Sequence, residues 1–220
     1  IAFWRKIVLC FLSIGFTRSK ADPCLFFKWV PNGIVIWIVV VDDCNGTGPK
    51  EELIKSKLEF MAVFNCDDQG KVQEYIGCKI EYGRKEGFLK ILQPVLLQSF
   101  KDEFEVDMSD IVATPAVPGK VLRKGGTELT PHEKFKYQSG VGKLIHATKW
   151  SRVEALSVVQ ELACHMGDSK SEHVQAMHRC MAYMLQTPER GLVLRPGVRW
   201  DGSRDFEFVI LGRSDANYAA

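Results

Sequence analysis

Eight consecutive apolar residues, Ile34 to Val41, run straight into two adjacent carboxylates, Asp42 and Asp43. Most of the eight are β-branched, and the turn signal Pro31-Asn32-Gly33 precedes them, which predicts a strand buried on both faces. Two carboxylates at the mouth of such a strand are costly unless water, hydrogen bonds or a cation compensates them. Hard divalent cations take oxygen ligands, and Mg2+ is held by one or two carboxylates together with substrate phosphates. In nucleotidyl transfer two such ions stabilise the attacking and the leaving oxygens. The plainer reading is that the aspartates open a turn ahead of Asn45-Gly46.

The rest of the chain alternates strand and helix signals. Phe3, Ile7, Phe11 and Ile14 form one stripe of a helix over 3–14 that ends at Gly15. Residues 24–29 read as a short strand. Pro49 stands where a first helical turn begins, Glu51 and Glu52 suit its N-terminus, and Ile54, Leu58 and Met61 supply its inner face. Residues 72–82 and 87–92 read as two strands, and Pro94 opens a helix with Leu96, Phe100 and Phe104 inward. Residues 111–130 are rich in Pro and Gly without apolar periodicity, the best place for a boundary. Beyond them the chain is helical. Ser151 to Glu154 matches a capping box, Ala155, Val159, Leu162 and Met166 face inward, and a stripe of Val174, Met177, Met181 and Met184 stops before Pro188. Residues 206–218 alternate like a strand.

Composition excludes more than it assigns. A hydrophobic content of 46% with 25% charged residues is ordinary for a globular chain. The net charge of +2 announces no nucleic-acid binder, although residues 111–200 are more basic than 51–110. Seven cysteines without a C-x-x-C pair fit reduced thiols in an intracellular protein, cytoplasmic or nuclear. His165, His173 and His178 lack zinc-site spacing. The apolar run from Ile7 to Phe16 lacks a cleavage site, and Ile34 to Val41 is far too short to span a bilayer, so no membrane partner is expected. Dinucleotide, Walker and nucleophile-elbow motifs are missing, which leaves no small-molecule cofactor.

Ile38 to Asp43 is similar to the Y-x-D-D hairpin of reverse transcriptases, with Val40 where tyrosine is expected. Further blocks follow in the order seen in copia-type retrotransposons. Ser19 to Phe26 looks like the segment just upstream of that hairpin. Tyr75-Ile76-Gly77, followed by Leu89 and Gln93, resembles the family's Y-L-G strand pair, and Thr114-Pro115 its connection. Tyr137 with Gly140-Val141-Gly142 and Leu144 resembles the Y-R-x-x-V-G-x-L helix, and His173, Ala176, Arg179, Tyr183, Thr187 and Gly191-Leu192 continue the pattern. Gly212 to Ala219 resembles G-Y-S-D-A-D-W-A, which opens the family's ribonuclease H domain.

This resemblance implies an α+β fold: the C-terminal part of a polymerase palm with primer-grip-like strands over 1–110, a linker and helical thumb over 111–200, and the start of a ribonuclease H-like domain over 201–220. It implies an RNA-directed DNA polymerase as parent, with Mg2+ on Asp42 and Asp43 and an RNA template and DNA primer as partners. Tyr75, Ile76, Gly77 and Cys78 would place the primer end, and Asp215 matches the first ribonuclease H metal carboxylate. Lys143, Lys149, Arg152 and Arg179 are the expected contacts to the nucleic-acid backbone. The third metal carboxylate and the nucleotide-pocket helix of the family have no counterpart here. Asn45-Gly46 replaces two apolar residues of the return strand, which predicts a looser hairpin. The isolated chain is therefore expected to be inactive, and the alternative is a non-enzymatic remnant that at most binds nucleic acid or a partner.

Overall fold

A computed structural model describes residues 2–83, 85–123, 125–198 and 200–207. They form two antiparallel sheets with flanking helices, an α+β arrangement, in two compact units. One unit runs to Gly70 and takes in the described residues from Val198 onward; the other is Lys71–Gly197.

The first unit contains α1 (Ala2–Ser13), β1 (Thr17–Arg18), β2 (Leu25–Val30), β3 (Gly33–Val40), β4 (Asp43–Thr47) and α2 (Lys50–Met61). Its sheet has the order β1-β2-β3-β4, every neighbour antiparallel. Val35, Trp37 and Val39 of β3 are buried, whereas Ile34, Ile36, Ile38 and Val40 are only half-buried. The strand predicted to be buried on both faces thus has one core face, because both helices lie on the same side. There Phe11 stacks on Phe26 at 4.6 Å and on Phe60 at 5.2 Å. The helix at Pro49 forms, but its expected inner face is wrong. Ile54 and Leu58 are 41% and 61% exposed, while Ser56 and Phe60 are buried and Leu53 packs on the core. A serine at an inward position hides the true stripe, and it is tolerated there because it accepts the Trp37 indole N–H at 3.0 Å.

The second unit contains β5 (Glu74–Tyr75), β6 (Cys78–Gly83), β7 (Phe88–Leu92), α3 (Pro94–Phe104), α4 (Pro131–Trp150), a 3-10 turn (Val153–Ala155), α5 (Leu156–Cys164), α6 (Ser171–Gln186) and β8 (Leu192–Leu194). Its sheet has the order β5-β6-β7-β8. The single strand expected over 72–82 is a hairpin, broken by left-handed residues at Ile76 and Gly77. Phe100, Phe104, Tyr137, Leu144, Met177, Met181 and Met184 fill the helical core. A Cβ at Gly140 would run into the Met177 sulfur, so this glycine lets α6 lie close against α4.

The capping box sits at Thr130 and Glu133, opening α4, rather than at Ser151. Ser151 instead ends that helix, and its hydroxyl donates to Gln93 Oε1 at 2.7 Å inside the core. Residues 111–130 are irregular, as their Pro and Gly content predicts, yet they do not separate the two units. Glu161 accepts the Leu122 N–H at 2.6 Å and Gln186 accepts that of Val112 at 2.8 Å, which lays the segment along the helices. Most of the strand expected over 206–218 lies outside the described residues. No described helix is long and apolar enough to cross a membrane.

Candidate functional site

The apolar run of β3 ends at Val40, which pairs with Asp43, so Val41 and Asp42 form a two-residue hairpin loop. Val41 has φ +57, the positive angle that a type II′ turn requires at its first central residue and normally assigns to glycine. A β-branched residue there is strained by roughly 1–3 kcal/mol. Its side chain is 82% exposed. Asp42 and Asp43 are exposed at the same tip, and the described ion pairs all lie elsewhere. Asn45-Gly46 does not open a turn: both residues lie in β4, opposite Ile38 and Trp37, so the hairpin is paired through to Thr47.

The donor set suits a hard cation only in part. Two adjacent carboxylates supply oxygen ligands and leave the rest of a Mg2+ shell to water and phosphate. Among the described residues no group of three or more His, Cys, Asp or Glu is arranged to hold a metal. Cys44, next in β4, is turned to the core side, and burial, with Cys66, Asp43 and Cys10 adding to it, pushes its thiol up to about 11. It is no thiolate ligand at neutral pH.

The Tyr75–Cys78 set forms a second hairpin tip. Tyr75 pairs with Cys78, and Ile76 and Gly77 between them have φ +50 and +71, the type I′ pattern. Ile76 is 38% exposed, while Cys78 is buried and its thiol is raised by that burial. Among the described residues the only non-glycine positions with positive φ are Val41, Ile76 and Glu105. Two of the three are hairpin tips that the sequence singled out on other grounds. Nothing in the identity of Val41 or Ile76 signals this geometry.

The four basic residues fare differently. Lys143 is held by Glu103 at 2.6 Å and Ser99 at 3.0 Å, tying α4 to α3. Arg152 is 1% exposed, and its guanidinium donates to Glu154 Oε1, the Met184 carbonyl and Thr187 Oγ1 at 2.8, 3.1 and 2.6 Å. It is a structural tie to the end of α6, spent before any phosphate could reach it. Arg179 donates to Thr114 Oγ1 at 3.3 Å. Lys149 alone of the four is exposed. It closes a stripe of α4 that sequence reasoning missed: Phe135, Ser139, Gly142, His146 and Lys149 are all exposed at helical spacing. Asp215 lies outside the described residues.

Comparison with known proteins finds retrotransposon proteins. A retrovirus-related Pol polyprotein from transposon RE1 of Arabidopsis thaliana is 29% identical over 188 residues, 84% of this chain. The chain is similar to retrovirus-related Pol polyproteins from transposons. The putative transposon Ty5-1 protein of Saccharomyces cerevisiae is 25% identical over 84% of the chain, and the Pol polyprotein from transposon TNT 1-94 of Nicotiana tabacum 26% over 78%. The chain spans 12% and 14% of the RE1 and TNT 1-94 polyproteins and 59% of the Ty5-1 protein. No family model matches it, and no solved structure matches it.

Proposed function

We propose that the chain is the part of a copia-type retrotransposon Pol polyprotein that completes the palm of its RNA-directed DNA polymerase, continues through a helical thumb and connection, and enters the ribonuclease H domain. The observation that supports it best is the β3–β4 hairpin, which presents Asp42 and Asp43 side by side at an exposed, strained tip. In the parent enzyme the two carboxylates hold Mg2+, which supplies Lewis-acid stabilisation of the attacking and leaving oxygens. Ile76 and Gly77 present an apolar tip and open backbone suited to a primer end, and Lys149 with the outer stripe of α4 meets backbone phosphates.

The isolated chain is inactive in this reading, because among the described residues no third carboxylate joins Asp42 and Asp43 in a group that could hold a metal. In a primer-extension assay on an RNA template with Mg2+, the chain alone incorporates no nucleotide. Joined to the preceding polymerase segment of a relative, it supports extension, and Asp42→Asn abolishes it. Extension by the isolated chain that Asp42→Asn abolishes would overturn the inactivity; a joined enzyme indifferent to Asp42→Asn would overturn the metal assignment. The exposed Lys149 stripe favours a second reading, a remnant that only binds nucleic acid. It calls for salt-sensitive binding to an RNA–DNA duplex without extension in the joined protein.

A further inference from the structure

We infer that the Trp37 indole, hydrogen-bonded to Ser56 and seated over Gly46, is a clamp that sets the register of the β3–β4 hairpin and so presents Asp43 to solvent. Trp37 and Ser56 are then positioning residues for the candidate cation site, which rests on the reading proposed above. Trp37 is 6% exposed and lies flat against Phe60, ring centroids 6.5 Å apart with 15° between planes. Its Nε1 donates to Ser56 Oγ at 3.0 Å, and that hydroxyl donates to the Leu53 carbonyl at 2.9 Å. The strand β3 is thereby fastened to α2 across the core.

Gly46 is directly opposite Trp37 in the ladder. A Cβ there would stand 2.7 Å from Leu53 Cδ1 and 2.8 Å from Trp37 Cε2, so the indole and Leu53 occupy the place of a side chain. Gly46 is the one glycine of β4, and its neighbours Asn45 and Thr47 both carry side chains. Among registers one residue apart, only this one therefore accepts the indole. In that register Cys44 and Gly46 share the core side, and Asp43, Asn45 and Thr47 share the other. A slip of one residue would turn Asp43 into the core and bring Asn45 or Thr47 under the indole. The departure at Asn45-Gly46 is thus a packing device of this chain, and it holds the strained turn at Val41.

The test uses the whole chain with Ser56→Ala, which removes the acceptor with little loss of volume, and Ser56→Thr, which restores a hydroxyl. Amide exchange by NMR reads the hairpin, and Mn2+ titration by electron paramagnetic resonance reads the carboxylates. In Ser56→Ala the amides of Asn45 and Thr47, which face β3 in the ladder, exchange faster while those of Ile7 and Phe11 in α1 do not. The Mn2+ dissociation constant rises measurably above that of the unsubstituted chain. Ser56→Thr recovers both. Unchanged hairpin exchange in Ser56→Ala overturns the clamp, and so does acceleration shared equally by α1. If the unsubstituted chain binds no Mn2+ while the hairpin alone loosens in Ser56→Ala, the clamp stands and the metal reading falls.

Discussion

The two hairpin tips solve one conformational problem with different means. Val41-Asp42 closes a hairpin of five paired positions whose first strand buries Val35, Trp37 and Val39. Ile76-Gly77 closes one of two paired positions in which Cys78 is the buried member. Both place a β-branched residue in the left-handed region. In the first the core overdetermines the strain, and the tip is polar. In the second a glycine shares the turn, the root is short, and the tip is apolar. Strain at a tip thus needs either a rooted ladder or a permissive partner residue.

The largest expected effect distinguishes the hairpins through their cysteines. Cys44 follows the first tip and its thiol is pushed up to about 11, so its alkylation rises about tenfold per pH unit below pH 10 and roughly five-hundredfold between pH 8 and pH 11. Mass spectrometry of iodoacetamide-treated chain at a series of pH values follows it. A rate that levels well below pH 11 would show that β4 opens and exposes the thiol, and the first hairpin would be no better rooted than the second.

Next in size is the contrast between two glycines. Gly46→Val forces a side chain into space held by Leu53 and Trp37, and should destabilise the fold by about 1–3 kcal/mol in chemical denaturation. Gly77→Val meets nothing within 4 Å and is penalised only by its φ of +71, for about 1–2 kcal/mol. The sharper discriminator is Gly77→Asn, which tolerates the left-handed region and should be close to neutral, whereas Gly46→Asn should cost as much as the valine. Equal costs for the two asparagine variants would erase the distinction between steric and conformational glycine.

These contrasts also show which parts of the molecule were legible in the sequence. Periodicity found α1, α3 and α6 because their inward residues, such as Phe11, Phe100 and Met181, are apolar at the helical repeat. It failed on α2, where Ser56 takes an inward position for the sake of Trp37, and at Ser151-Glu154, where the capping pattern is local but Ser151 is claimed by Gln93, 58 residues away. The strand over 72–82 was misread because Ile76 has no reason of its own to turn. Asp42 and Asp43 were found correctly at a strand end, since a charge pair after eight apolar residues has few places to go. Arg152 was misplaced for the opposite reason: a charged residue is usually solvated, and burial of this one depends on acceptors at Glu154, Met184 and Thr187 that no local pattern reveals.

The smallest expected effects come from relieving the two tips. Val41→Gly removes left-handed strain of about 1–2 kcal/mol but gives the unfolded chain extra freedom that offsets about 0.4–1 kcal/mol. The side chain is 82% exposed, so almost no packing is lost, and a net stabilisation of about 0.5 kcal/mol is expected from the balance. Ile76→Gly carries the same two contributions, but at 38% exposure it also surrenders apolar contact, which brings the balance to zero or slightly below. Denaturant midpoints at constant slope measure both. Stabilisation at Val41 with none at Ile76 marks the first tip as strain held by its root and the second as strain already repaid by contact. Destabilisation by about 1 kcal/mol at both would mean that each side chain is anchored within the chain, and the claim of a strained, outward-facing tip at Asp42 would fail with it.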